Sequence, residues 1–211
     1  MNYSVIILAA GSGKRTGLNY NKMFYKIGLK TIYETTLSIF NDDSRCTQII
    51  VVAKENEIRA FKELTYSNKV IFVEGGKERQ DSVYNGIQKV VNDYVLIHDG
   101  ARPYLKIEEL DNLLDCLKQH NACLLMVPCK DTVKEVFEHK VVKTLNRKKL
   151  MNAQTPQAFK TSLIKECLQK AHEDNFLATD DTSLIEEYAP EDIYVVEGDY
   201  SNIKVTTKED L

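Results

Sequence analysis

Short runs of β-branched residues alternate with amphipathic segments along almost the whole chain. Six runs have the composition of buried strands, at residues 4–10, 48–53, 70–74, 94–98, 123–127 and 193–197. Six segments with helical periodicity lie between or after them, at residues 31–40, 55–64, 81–91, 107–120, 161–171 and 180–188. This alternation predicts an α/β fold in which a mostly parallel sheet is covered by helices on both faces.

One stretch breaks the alternation. Residues 134–145 contain two short β-prone pieces around Glu138-His139-Lys140, which predicts a β-hairpin instead of a crossover helix. We expect an arm that projects from a single domain spanning residues 1–211. Because an isolated hairpin is marginally stable in water, the arm should pack on something, and a second copy of the chain is the simplest candidate.

The composition excludes several classes of protein. The longest apolar runs are far shorter than the roughly 20 residues of a membrane helix, and the N-terminus lacks the pattern of a secretory signal. Five cysteines without a C-x-x-C pair predict reduced thiols and a cytoplasmic location. The net charge of −3 argues against a dedicated nucleic-acid binder.

The net charge hides two basic islands. Residues 11–30 carry five basic and no acidic residues, and residues 130–149 carry seven basic and three acidic residues. Such islands in an otherwise acidic chain indicate either a localised anion site or merely solvated faces.

A glycine loop follows the first predicted strand. Gly11 and Gly13 allow backbone N–H groups to approach a phosphate at the tip of the sheet, and Arg15 and Lys22 add positive charge. The loop matches neither the P-loop nor the dinucleotide-binding pattern, and by itself it is equally compatible with a tight strand-to-helix turn.

Two further loops carry candidate binding residues. Gly75 and Gly76 precede a polar run in which Ser82 can donate a hydrogen bond and Asp81 can cap the next helix. The fourth strand is followed by Asp99 and Arg102, which predict either metal or phosphate contact or a structural ion pair. His98 is interpreted as a core histidine, not as a base.

Three polar patches and one lysine complete the inventory. The patches are Lys130–Lys134, Arg147 with Gln154–Gln157, and Ala178–Asp181; Lys204 lies in a β-prone run, where a charge suggests an anion nearby. The order of residues offers no Ser-His-Asp triad, Cys-His pair or His/Cys metal cluster. Cations, glycines and a few aspartates suit phosphoryl or nucleotidyl transfer.

Seven ordered motifs across the chain resemble one family, the 2-C-methyl-D-erythritol 4-phosphate cytidylyltransferases of non-mevalonate isoprenoid synthesis. They begin at Leu8, Gly75, His98, Asp131, Gln154, Ala178 and Asn202, and they read LAAGSGKR, GGKERQDSV, HDGARP, DTVK, QTPQAF, ATDD and NIKVT. The resemblance implies a Rossmann-like fold of the nucleotide-diphospho-sugar transferase type. It also implies a homodimer joined through the arm and dependence on Mg²⁺.

The resemblance assigns roles to individual residues. Arg15 and Lys22 would stabilise charge on the CTP phosphates, with Arg147 and Lys204 orienting the second substrate. The residues implied for CTP binding are Ala9, Ala10, Gly11, Gly13, Gly76 and Ser82. Those implied around the alcohol phosphate are Asp99, Arg102, Thr132, Arg147 and Lys204, of which Asp99 is also the candidate metal ligand and Thr132 and Arg147 would come from the partner's arm.

The chain departs from the family pattern at two of these loops. Asn21 and Met23 flank Lys22 where Pro and Gln are usual, which predicts a less rigid loop. Asn146 replaces an Asp before Arg147 and removes a charge partner. Two alternative functions stay open, a ribitol 5-phosphate cytidylyltransferase and a non-catalytic nucleotide-binding module.

Overall fold

A computed structural model describes residues 1–11 and 13–211; for Lys14 it describes the backbone only. These residues contain eleven strands: Tyr3–Leu8 (β1), Lys26–Ile27 (β2), Lys30–Thr31 (β3), Cys46–Ala53 (β4), Val70–Glu74 (β5), Tyr94–Asp99 (β6), Ala122–Pro128 (β7), Lys134–Phe137 (β8), Lys140–Thr144 (β9), Met151–Lys160 (β10) and Tyr194–Glu197 (β11). The α-helices are Ile32–Asn41 (α1), Ile58–Glu63 (α2), Arg79–Ile87 (α3), Ile107–Leu117 (α4), Thr161–Asp174 (α5) and Thr182–Tyr188 (α6).

Seven strands form one sheet in the order β11-β7-β10-β6-β1-β4-β5. All neighbouring pairs are parallel except those of β10, which runs antiparallel to both β6 and β7. The predicted α/β class is therefore confirmed, and the carboxyl ends of β1, β4, β5 and β6 lie at one edge.

Helices cover both faces of this sheet because its central strands are apolar on both sides. Along β1, Val5 and Ile7 point to a core that also holds Leu37 of α1 and Leu113 of α4. Ile6 points the other way, to a core shared with α3, α5 and α6. Successive side chains of any strand point to opposite faces of its sheet. A parallel strand that is buried on both faces therefore needs apolar residues in both alternating sets of positions.

The predicted arm is present as the hairpin β8–β9. Glu138 and His139 form its turn with φ angles of 45° and 62°, the left-handed pair that a two-residue hairpin turn requires. All nine strand residues of the hairpin are exposed.

Strand β10 was not predicted. Its residues Gln154, Thr155 and Gln157 are polar, and Pro156 argues against a central strand. The structure nevertheless buries all three polar side chains, because each finds a hydrogen-bond partner: Gln154 and Gln157 in loops that flank the sheet, and Thr155 at His98 of the neighbouring strand β6. Conversely, the β-prone run around Lys204 is not a strand but irregular backbone.

All five cysteines are free thiols in the structure. Among the described residues, no helix combines the length and the apolar character needed to cross a bilayer.

Candidate active site

The predicted loops meet in one cleft at the carboxyl edge of the sheet. The cleft measures about 780 Å³ and lies over the ends of β1, β5 and β6. Most of the predicted site residues line it, namely Ala9, Ala10, Gly11, Gly13, Arg15, Lys22, Gly76, Ser82, Asp99 and Lys204. Residues that are up to 195 positions apart in the sequence thus converge on one concave surface.

The glycine loop after β1 is shaped by local hydrogen bonds. Gly13 has a φ of 62°, in the left-handed region where a side chain would be strained. Its carbonyl accepts hydrogen bonds from the backbone N–H of Thr16 at 2.9 Å and from the Thr16 hydroxyl at 2.6 Å. Arg15 is exposed at the mouth of the cleft, and Ser12, part of the same motif, lies outside the described residues.

Lys22 begins a single 3-10 turn whose cap is Asn21. The Asn21 side chain accepts from the N–H of Met23 and donates to the carbonyl of Ala9 at 2.9 Å and to Glu57 at 2.8 Å. This buried asparagine ties the turn to the residue that follows β1, and the expectation of a less rigid loop stays a prediction.

The Lys22 ammonium group is held in place and lies among other cations. Its Nζ donates to the carbonyl of Val205 at 2.6 Å. Burial lowers the pKa of Lys22, and the nearby charges of Lys204 and Arg15 lower it further. Cations crowded without enough acids to neutralise them form a site prepared for an anion.

The second glycine loop is closed by Ser82 and Asp81. The Ser82 hydroxyl accepts from the N–H of Gly76 at 3.1 Å and donates to the carbonyl of Glu78 at 3.2 Å. A Cβ on Gly76 would lie 2.1 Å from the Cβ of Asp81, so only glycine fits there. Asp81 is not the N-cap as predicted: Glu78 is, and the Asp81 carboxylate accepts from its N–H at 2.9 Å.

Asp99 lies at the end of β6 with three cations around its carboxylate. Its oxygens are 2.7 Å from Nζ of Lys204, 3.3 Å from Nε of Arg79 and 4.0 Å from Nε of Arg102. Burial alone would raise the pKa of Asp99, but the charges of Arg79 and Lys204 outweigh it and keep that pKa below its usual range. Asp99 is thus ionised and holds Lys204 at the cleft.

Arg79 and Asp181 were not predicted to have a role. Arg79 begins α3, lines the cleft and makes a bidentate ion pair with Asp181 at 2.9 and 2.7 Å. The Asp181 side chain is 1% exposed, and such a buried charge needs a partner. The two residues are 102 positions apart in the sequence, so no local pattern could pair them. The only indication in the sequence was the pair of adjacent acids Asp180 and Asp181.

His98 is buried, as expected for a core histidine. Burial lowers the pKa of His98 to about 4, so its ring is neutral near pH 7. Its nitrogens lie 3.1 Å from the carbonyl of Arg102 and 3.2 Å from the hydroxyl of Thr155. The ring does not line the cleft.

Arg102 lies beside the cleft with an unused donor. Its Nη1 donates to the carbonyl of Asn202 at 2.6 Å, but its buried Nε has no hydrogen-bond partner among the described residues. A guanidinium group with a spare N–H next to Asp99 and Lys204 can donate a hydrogen bond to an oxyanion.

Besides Arg102, two predicted residues do not line the cleft of their own chain. Thr132 and Arg147 are exposed at the base of the arm, where Nη1 of Arg147 donates to the carbonyl of Lys130. Asn146 caps the 3-10 turn of Arg147 by accepting from the N–H of Lys148 at 3.1 Å.

The cleft fits a divalent cation only if the ligands come mostly from phosphates. Among the described residues, no three His, Cys, Asp or Glu side chains cluster as a metal site. Mg²⁺ usually binds through one or two carboxylates, substrate phosphates and water, and the Asp99 carboxylate retains lone pairs beyond its contacts with Arg79 and Lys204.

A parallel sheet edge with two glycine loops, a buried Asp99 and cations that include Arg15, Lys22 and Lys204 has the parts needed to position phosphates and neutralise their charge. The fold and the cleft define the class: the chain is a nucleotidyltransferase. The comparisons with known proteins specify the family.

A family model for 2-C-methyl-D-erythritol 4-phosphate cytidylyltransferase (IspD) matches residues 3–211. The protein of that name from Bacillus pumilus is 42% identical over 216 residues, covering 100% of this chain and 94% of the relative. The one from Halalkalibacterium halodurans is 44% identical with the same coverage. The crystal structure of 4-diphosphocytidyl-2C-methyl-D-erythritol synthase from Anaerococcus prevotii superposes with a TM-score of 0.89 at 33% identity, covering 99% of this chain and 94% of that one. The chain belongs to the 2-C-methyl-D-erythritol 4-phosphate cytidylyltransferase family.

Proposed function

We propose that this protein transfers the cytidylyl group of CTP to 2-C-methyl-D-erythritol 4-phosphate. The products are 4-diphosphocytidyl-2-C-methyl-D-erythritol and pyrophosphate. The observation that carries the proposal is the convergence of Lys22, Lys204 and Arg15 on one glycine-lined cleft, in a chain of this family.

An oxygen of the alcohol phosphate attacks the α-phosphorus of CTP, and the bond from that phosphorus to the bridging oxygen of the β-phosphate breaks. No base is required, because a phosphate monoester is largely ionised at pH 7. Negative charge accumulates on the α-phosphate and the leaving pyrophosphate, where Lys22 and Arg15 stabilise it.

CTP occupies the part of the cleft between the two glycine loops. Ala9, Ala10, Gly11 and Gly13 offer backbone N–H groups and no bulky side chains. Gly76 and Ser82 bound the opposite wall and hold the base through backbone and hydroxyl groups.

The alcohol phosphate binds at the Asp99 end of the cleft. Lys204, 2.7 Å from Asp99, and Arg102, with its unused Nε, attract its phosphate, while Asp99 accepts from hydroxyl groups of the polyol. Thr132 and Arg147 complete this half from the arm of a partner subunit.

Mg²⁺ is the proposed cofactor. It would be held by the CTP phosphates with Asp99 as the protein ligand, and it would neutralise phosphate charge. We also place the reaction in the cytoplasm, which is consistent with five free cysteines.

The first test is release of pyrophosphate from CTP and Mg²⁺ in the presence of each alcohol phosphate. We expect turnover with 2-C-methyl-D-erythritol 4-phosphate. Turnover only with ribitol 5-phosphate would replace the proposed acceptor, and no release with either would favour a non-catalytic nucleotide-binding module.

Lys22→Ala should reduce kcat on the order of a hundredfold, because one preorganised donor to the transition state is worth about 3 kcal/mol. Affinity for CTP, measured by calorimetry, should change much less. The matched control is Lys26→Ala, which removes an exposed lysine that does not line the cleft; an equal loss in both variants would contradict the role of Lys22.

Sharing of the site between two subunits can be tested by mixing inactive variants. If each site combines Lys204 of one chain with Arg147 of the other, mixing Arg147→Ala with Lys204→Ala should restore about one quarter of the activity, since about half of the dimers are mixed and each has one intact site. Mixing Lys22→Ala with Lys204→Ala should restore none, because both residues line the cleft of one chain. Failure of the first mixture would exclude the shared site.

A further inference from the structure

The sheet opens where β10 passes the end of β6. Their antiparallel register pairs Gln157 with Ile97 and Phe159 with Val95, and its continuation would place Thr155 opposite Asp99. The pairing of β10 with β7 is irregular between Ala153 and Gln157, and the backbone ladder stops before Asp99. The Thr155 hydroxyl instead accepts the N–H of Asp99 at 3.0 Å.

The same hydroxyl links Asp99 to His98 and then to Arg102. The carbonyl of Arg102 can only accept, so Nε2 of His98 donates to it across 3.1 Å. Nδ1 of the neutral ring is then an acceptor for the Thr155 hydroxyl proton at 3.2 Å. Asp99 and Arg102 are therefore joined through two buried side chains.

A second connection closes this network into a ring. The carbonyl of Thr155 accepts from Nδ2 of Asn202 at 3.0 Å, and the carbonyl of Asn202 accepts from Nη1 of Arg102 at 2.6 Å. His98 and Asn202 are 0% exposed and Thr155 is 5% exposed. Water therefore cannot readily replace a bond lost from the ring.

We propose that His98 and Thr155 are positioning residues for the alcohol-phosphate half of the cleft, because together they fix the backbone of both Asp99 and Arg102. Neither side chain lines the cleft, so they act through those two residues and not by touching a substrate. The inference rests on the proposed function. It predicts a selective defect toward the alcohol phosphate.

Thr155→Val and Thr155→Ser form the decisive pair. Valine keeps the shape and removes the hydroxyl, leaving the N–H of Asp99 unpaired, whereas serine keeps the hydroxyl and removes only a methyl group. For Thr155→Val we expect KM for 2-C-methyl-D-erythritol 4-phosphate to rise about tenfold or more, with KM for CTP changed less than about twofold. Thr155→Ser should stay within about threefold of the wild type for both substrates.

Phe40→Leu controls for loss of packing around His98. The Phe40 ring meets the imidazole edge-on, with centroids 5.1 Å apart. Its truncation to leucine leaves every hydrogen bond of His98 in place. This variant should unfold at a lower temperature than the wild type with both KM values unchanged. If KM for the alcohol phosphate rose as much in Phe40→Leu as in Thr155→Val, the defect of Thr155→Val would be explained by looser packing around His98. That result would overturn the proposal.

His98→Gln provides an independent variant if Thr155→Val does not fold. Glutamine can still donate its amide N–H to the carbonyl of Arg102 but has no atom at the position of Nδ1 to accept from Thr155. KM for the alcohol phosphate should therefore rise while KM for CTP does not; equal changes in both would overturn the proposal. If the wild type is active and Thr155→Val behaves like Thr155→Ser, this inference alone fails. If the wild type releases no pyrophosphate, the proposed function fails with it.

Discussion

At the scale of single residues, the burial of His98 makes the stability of the folded state depend on pH. The ring is 0% exposed, and the charged groups facing it are Asp99, which favours its protonation, and Arg102, which opposes it. Burial is the largest effect and lowers the pKa of His98 to about 4. An unfolded histidine titrates at about 6.5, so between these pH values the unfolded chain binds a proton that the folded chain does not.

The folded state should therefore lose stability as the pH falls from about 6.5 toward 4. From pH 7.5 to 5.5 we expect His98 to contribute a loss of about 1 kcal/mol in the free energy of unfolding. Urea denaturation of the wild type and of His98→Gln at both pH values measures the contribution. An equal pH dependence in the two proteins would contradict it.

At the scale of elements, two asparagines cap the 3-10 turns that carry the cations Lys22 and Arg147. Asn21 is buried and also bonds to Ala9 and Glu57, whereas Asn146 is exposed. Asn21→Ala should cost about 1 kcal/mol or more in stability, since it removes a cap and leaves a buried carbonyl unpaired. It should also lower kcat, because Lys22 loses its fixed position.

Asn146→Ala is the matched variant, because it removes the same type of cap from an exposed turn. Its effect on the free energy of unfolding should be at most about 0.5 kcal/mol, and any kinetic defect should concern the alcohol phosphate. Thermal unfolding and steady-state kinetics with both substrates compare the two caps. A larger loss of stability in Asn146→Ala would refute this ranking.

At the scale of the whole molecule, the arm exposes apolar side chains that a single chain leaves uncovered. Val136, Phe137, Val141 and Val142 are each more than half exposed, and such a hairpin needs a packing partner. We expect Phe137→Asp to shift the protein toward monomers and to reduce activity in parallel. Light scattering coupled to size-exclusion chromatography measures the mass.

Leu29→Asp is the control for a charge placed on an exposed apolar position. Leu29 is 97% exposed between β2 and β3, on a two-stranded hairpin separate from the arm. This variant should keep the mass and activity of the wild type. A Phe137→Asp protein that keeps its mass would argue against dimerisation through the arm.

Some features of the site can be predicted from local sequence patterns, and others depend on tertiary contacts. Local patterns are sufficient for the parallel strands, the helices and the arm, because apolar periodicity is carried by neighbouring residues. Local patterns also identify the glycine loops and the cations Arg15, Lys22 and Lys204, since glycine and unpaired charge are informative in a short window. Strand β10 escapes the same reasoning, because the polar side chains of Gln154, Thr155 and Gln157 find their partners far away in the sequence.

The sequence by itself determined the fold class, the family and the residue types of the cleft. Only the tertiary structure decided how the charges pair, with Arg79 between Asp99 and Asp181, and how the Thr155 hydroxyl replaces a backbone bond to Asp99. The physical reason is that periodicity and composition are local properties, whereas pairing of buried polar groups depends on distances set by the packing of the whole sheet.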